Sequence, residues 1–164
     1  MLVSVQMTAD MRRVVLEQRL GFVATVSPDG TPSLSPKGTT TVLDDEHLIF
    51  ADIVSPGTVR NLESNPHIEL NVVDPIVRKG YRFTGTATVH RSGPTFARGL
   101  EVLGERGVTR LERIRSVVVI EVTTAAPLVS PGYDSGATED EVAERWLEHH
   151  AALDRGRRNH GAER

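Results

Sequence analysis

Cysteine is absent from this sequence. That excludes disulfides, thiolate metal sites and cysteine nucleophiles together, and leaves the fold to stand on packing. Aromatic residues make up 4% of the chain, so a core must be built from Val, Leu, Ile and Ala, which favours strands wherever the branched residues cluster. No run approaches the ~18 apolar residues of a membrane span. The N-terminal "MLVSVQMTADMRRVVLEQ" has its arginines after a short apolar stretch, unlike a secretory leader, and a soluble cytoplasmic protein is the expectation. A net charge of -3 argues against a nucleic-acid-coating surface, and basic clusters such as "RLERIR" and "RGRR" read as solvated faces. Lysine is nearly absent: of 19 Lys+Arg residues, only Lys37 and Lys79 are lysine. Where the chain places a surface cation it uses arginine, so these two positions suit a compact point charge better than a planar fork, a compositional accident being the competing reading.

At 164 residues the chain suits one main domain. "TADMRRVVLEQRL" offers an N-cap at Thr8 and a helical face of Met11, Val14, Val15 and Leu16, predicting an opening helix that ends near Gly21. "GFVATVSPDGTPSLSP" reads as strand, tight turn at Pro28-Asp29-Gly30, strand. "GTTTVL" and "HLIFADI" read as a second strand pair, and "SPGTVRNLESNP" as a short helix that Pro66 stops. "HIELNVVD" and the alternating "YRFTGTATVHR" follow as strands. "PTFARGLEVLGERG" is then a helix and "IRSVVVIEVTTAAPLV" a buried strand. About six or seven antiparallel strands with interrupting helices give a mainly β chain folded as a small, partly closed barrel over 1–130. Residues 131–164 form a helical extension, its helix opened by a Thr138/Glu141 capping box and carrying an apolar stripe of Val142, Trp146 and Leu153, with disorder expected from Arg155 onward.

The chain lacks a GxSxG elbow, a Walker loop, an HExxH helix and a GxGxxG turn, which disfavours hydrolase and nucleotidase chemistry. The six histidines are scattered, His149 and His150 cannot share a helix face, and no metal site is expected. What remains suits an anion. Ser55, Pro56, Gly57 and Thr58 begin a helix, whose free N–H groups and positive dipole end favour phosphate. Ser55 and Thr58 add hydroxyls and Arg60 a full charge. Plain capping accounts for Ser55 and Pro56 equally well. Lys37 precedes Gly38, where the backbone can approach a ligand, and Thr39, Thr40 and Thr41, which offer hydroxyl donors.

Taken in order, "GFVATVSPDGTPSLSPKG", "HLIFADIVSPGTVRNLESNPHIELNV" and "RFTGTATV" resemble the FMN-binding split barrels related to pyridoxamine 5'-phosphate oxidase, over residues 10 to 125. The resemblance implies a homodimer with the flavin at the subunit interface, its phosphate held by Lys37, Thr39 and Thr41 together with Ser55, Thr58 and Arg60, and with Lys79 adding charge from a second loop. It implies hydride transfer through FMN to a small molecule, with a deazaflavin coenzyme or a non-catalytic flavin or haem carrier as alternatives. Two departures narrow it. Many relatives carry lysine where Thr58 stands, and the tail "EVAERWLEHHAALDRGRR" has no Arg-x-His element of the kind that engages substrate in true pyridoxamine phosphate oxidases. Vitamin B6 oxidation is therefore not expected. Tyr81 and Arg82 lie near the implied site on opposite faces of one strand, and no acid or base stands out.

Overall fold

The computed structural model of the chain describes residues 5–161. Seven strands form one antiparallel sheet: β1 (Gly21–Val26), β2 (Pro32–Lys37), β3 (Thr41–Val42), β4 (His47–Asp52), β5 (His67–Asp74), β6 (Lys79–His90) and β7 (Ser116–Val129), in the order β2-β1-β5-β6-β7-β4-β3. Laid flat, seven strands would span roughly 29 Å between the outermost pair. The two outermost strands are β2 and β3, and they are joined by Gly38, Thr39 and Thr40 alone. Four Cα steps reach roughly 14 Å at most, so the sheet must curl until its edges nearly meet. The result is a half-barrel of the split-barrel type.

Burial patterns show why the strands form. On β1, Val23 and Thr25 face inward and Phe22 and Val26 outward, the alternation of a half-buried strand. β4 and β7 are different, for both their faces are covered. Leu48, Phe50, Val118 and Ile120 fill the barrel, while Ile49, Ala51, Val117 and Val119 pack under α3 (Gly93–Glu105) with Val102 and Leu103. Each fully buried aliphatic side chain of this kind contributes about 1.5–3 kcal/mol, which is why "SVVVI" reads as a continuous apolar run. Gly99 allows the close seating of α3, since a Cβ there would lie 2.7 Å from Val117 Cγ1. On β6, Gly85 sits at a register shift against β7, where a Cβ would stand 2.2 Å from the Glu121 carbonyl oxygen. Helix α1 (Ala9–Gln18) starts at Thr8, whose hydroxyl accepts from the Met11 N–H at 3.2 Å, and closes one mouth of the barrel with Val14 and Val15.

Three sequence expectations change in detail. "GTTTVL" supplies a strand of only two residues, because Gly38 to Thr40 are spent on the edge-to-edge connection. The final helix α4 (Glu139–Gly161) runs on through Arg155, where disorder was expected. Helix α2 (Pro56–Ser64) forms as read, but the Ser55 hydroxyl does not cap it. Among the described residues no helix is long and apolar enough to cross a membrane.

Candidate anion site at the closing crossover

Curling of the sheet brings β2 against the start of α2. Lys37 is the last residue of β2 and only 4% exposed. Its Nζ donates to Ser35 Oγ at 2.8 Å and to Ser55 Oγ at 2.7 Å, and lies 5.7 Å from the centroid of the Phe50 ring. No carboxylate comes within ion-pair distance of it among the described residues. Burial holds the Lys37 ammonium below its ordinary proton affinity, and the charge of Asp52 partly offsets this. Each serine hydroxyl accepts from the lysine, so each keeps its own proton to donate elsewhere.

The rest of the crossover is fixed by its own hydrogen bonds. Thr39 Oγ1 accepts from the Ala51 N–H at 2.9 Å, tying the connection to β4, and Thr40 Oγ1 donates to the Lys37 carbonyl at 2.9 Å. Thr41 is 4% exposed, and its Oγ1 is the buried side-chain polar atom with no partner among the described residues. Such an atom is costly unless a ligand or water satisfies it. Gly38 is exposed and a side chain there would meet nothing within 4 Å. Thr58 is buried one turn into α2, whereas Arg60 is exposed on the same helix. Asn61 reaches across to Thr25 at 3.0 Å and pins α2 to β1.

Lys37, Ser35 and Ser55 are thus gathered in one place, with Gly38 and Thr39 on the connection beside them and Thr58 and Arg60 on the helix that Ser55 opens, whereas Thr41, paired with Ile49 on β4, lies on the face of the sheet that α3 covers. Lys79 is not gathered with them. It stands at the β5–β6 hairpin, where its Nζ donates to Glu139 Oε2 at 2.7 Å and lies 4.4 Å from the Tyr133 ring centroid. Tyr81 donates to Asp10 at 2.5 Å, and Arg82 pairs with Glu69 at 3.3 Å. Sequence reasoning missed Ser35, Phe50 and Asp52. Ser35 had a signal, for it lies two residues before Lys37 and so on the same strand face. Asp52, three residues before Ser55, has the i→i+3 spacing at which a carboxylate accepts a main-chain N–H, and its Oδ1 accepts the Ser55 N–H at 2.8 Å.

The donor set fits the phosphate of a flavin cofactor. An ammonium buried with no carboxylate at ion-pair distance among the described residues, two hydroxyls with protons to give and a helix N-terminus without a side-chain cap all favour an anion.

The sequence pattern of the pyridoxamine 5'-phosphate oxidase family matches residues 7–127. The chain belongs to that family. An uncharacterised protein of Methanocaldococcus jannaschii is 29% identical over 134 residues, 80% of this chain and 87% of its own. Among solved structures, HupZ of Group A Streptococcus is 31% identical, covering 76% of this chain and 95% of its own, with a TM-score of 0.66. A putative pyridoxamine 5'-phosphate oxidase of Lactobacillus delbrueckii is 25% identical, covering 74% and 93%, with a TM-score of 0.62. The fold alone is shared with an F420 reductase (24% identity, TM-score 0.58), with an FMN-binding protein of Syntrophomonas wolfei (13%, 0.59) and with the haem storage protein HutZ of Vibrio cholerae (17%, 0.58). The family match ends at residue 127, ahead of α4.

Proposed function

We propose that the chain binds FMN as a homodimer and passes hydride or electrons between the flavin and a small molecule. The observation that carries this reading is the buried Lys37, held by two serine hydroxyls and facing no carboxylate within ion-pair distance among the described residues. Lys37 would neutralise the phosphate, Ser35 and Ser55 would donate hydroxyl protons to it, and the start of α2 would add its main-chain N–H groups. Thr39 would line the approach along the crossover, and Thr41, on the α3 face of β3, would stand outside it. The flavin supplies the redox chemistry when bound, and the protein supplies position and water exclusion. Thr58 and Arg60 belong to the same helix and would act at the rim of the phosphate site. Lys79 would reach a cofactor only as a contribution from the second subunit. Pairing is supported by an outward apolar face on β1 and β2, where Phe22 is 44%, Val26 38% and Leu34 69% exposed. It continues into a groove of about 630 Å³ lined by Leu20, Phe22, Val73, Leu128 and Val129. A second copy of the chain is the occupant we propose for this face.

Titration with FMN and with riboflavin tests the cofactor. FMN should bind at least tenfold more tightly, since riboflavin lacks the phosphate; equal affinity, or binding of neither, would remove the reading. Anaerobic mixing of the flavin-loaded protein with NADH or NADPH then separates a reductase, whose yellow colour bleaches, from a carrier, whose colour persists. A deazaflavin or haem spectrum in the purified protein would replace FMN with the corresponding alternative. Light scattering that gives the mass of a single chain would end the dimer.

A further inference from the structure

We infer that Asp52 is a positioning residue of the anion site, an internal counter-charge that fixes Ser55 and keeps Lys37 charged for a phosphate which Asp52 itself does not touch. The inference rests on the reading of Lys37 as the phosphate-binding group. Asp52 is the last residue of β4 and 5% exposed. One carboxylate oxygen accepts the Ser55 N–H at 2.8 Å, the other lies 3.4 Å from Ser116 Oγ, and its main-chain carbonyl accepts the Arg115 N–H at 2.9 Å. Ser55 is therefore held twice: by its main chain to Asp52 and by its hydroxyl to Lys37 at 2.7 Å. One residue separates a buried cation from a buried anion that do not meet.

A neutral Asn would serve the turn equally well, because an amide oxygen also accepts the Ser55 N–H. The charge of Asp52 does something else, for it opposes the desolvation of Lys37. The groups that surround Lys37 are Ser35 from β2, Phe50 and Asp52 from β4, and Ser55 with the positive end of α2. Behind Asp52, β7 sets Ser116 at 3.4 Å from its carboxylate, with the exposed Arg115 before it, and Arg60 is exposed on α2. Asp52 is the carboxylate among them. A neutral lysine would bind no phosphate, and a carboxylate touching the lysine would compete with one. A counter-charge set one residue back avoids both outcomes.

The scarcity of lysine makes the test direct. Protein grown on lysine labelled at the ε position gives two side-chain signals to follow by NMR against pH, and Lys79→Arg identifies them. With Asp52→Asn, the Lys37 midpoint should fall below its wild-type position while that of Lys79 stays. FMN should then bind about three- to tenfold more tightly below that midpoint, since a like charge has been removed. Its affinity should fail at lower pH than in the wild type. An unmoved Lys37 midpoint in folded Asp52→Asn protein would overturn the inference. If that variant does not fold, Asp52→Glu keeps the charge and displaces the turn. Lys37 should then titrate as in the wild type while FMN binding weakens through Ser55, and a fallen midpoint would overturn the inference. The lysine titration needs no ligand, so it stands apart from the cofactor reading. That reading fails separately if wild-type protein binds FMN no better than riboflavin.

Discussion

The two lysines sit in opposite surroundings, and the contrast shows what each is placed to do. Lys37 is buried among hydroxyls and an aromatic ring, with its nearest opposing charge held back behind Ser55. Lys79 is part-exposed, donates directly to Glu139 and stands over Tyr133. Next to it, the Arg78 guanidinium lies 4.0 Å from the centroid of Trp146, and Tyr133 donates to the Val77 carbonyl at 2.6 Å. The first lysine is left wanting an anion. The second already has one, and with its neighbours it latches the base of α4 to the β5–β6 hairpin. A cation with its partner supplied by the same chain does structural work, whereas one with its partner withheld is ready for a ligand.

The largest expected effect falls on Lys37. Lys37→Ala should weaken FMN binding by about 1.5–3 kcal/mol, the value of a charged hydrogen bond to phosphate. Fluorescence titration measures it, and an unchanged affinity would take Lys37 out of the site. Trp146 is half-buried and covered by Arg78 and the edge of His149. Trp146→Ala should destabilise the fold by about 1–2 kcal/mol, below the ~3–5 expected of a fully buried tryptophan, and should leave FMN affinity unchanged. As Trp146 is the sole tryptophan, acrylamide quenching intermediate between buried and free indole should accompany this. Quenching as rapid as free indole would show the latch to be open.

A smaller effect separates the lysines by pH. Lys37 loses its proton more readily in the folded chain than at its ordinary pKa of 10.5. Between those two values the unfolded chain binds more protons, so stability should rise as pH climbs through that window. Lys79, held protonated by Glu139, and Tyr81, whose pKa is raised by its hydrogen bond to Asp10, act the other way above their ordinary values. The difference between wild type and Lys37→Met in urea unfolding, followed from neutral pH upward, isolates the Lys37 part. A difference that does not change with pH would contradict the placement of Lys37. Lys79→Ala should give the smallest change, a slight loss of stability with FMN affinity preserved. A large loss of FMN affinity in that variant would instead bring Lys79 into the partner's site.

Much of this was legible in the sequence, because local signals and tertiary demands agree over the strands. The alternation of Phe22 to Val26, the apolar run from Val117 to Ile120 and the Thr138/Glu141 capping box, realised at 2.8 and 3.3 Å, each report one element from its own residues. The helix opened by Ser55 was legible too, but the role of Ser55 was not. Capping and ligand binding use the same hydroxyl, and only the approach of Lys37 from 18 residues away decides between them. Asp52 was missed for the same reason, since its turn is local while its charge acts on another strand. Thr39 and Thr40 looked like strand residues because β-branched side chains favour strands. Closure of the sheet claimed them for a connection instead.

The order of strands also sets when the site comes into being. β4 pairs with β7, from His47 against Glu121 to Asp52 against Ser116, and its other neighbour is the two-residue β3. The strand bearing Asp52 therefore lacks its main ladder partner until a strand nearly seventy residues downstream arrives. Pairings of such long sequence separation are the slow ones in folding. A chain still being synthesised can form the β1–β2 hairpin that carries Lys37, but it can assemble no anion site until β7 has emerged and zipped onto β4. Capture of the proposed FMN would in this way be reserved for the finished barrel, and in refolding experiments flavin quenching should follow the slowest phase and never precede it.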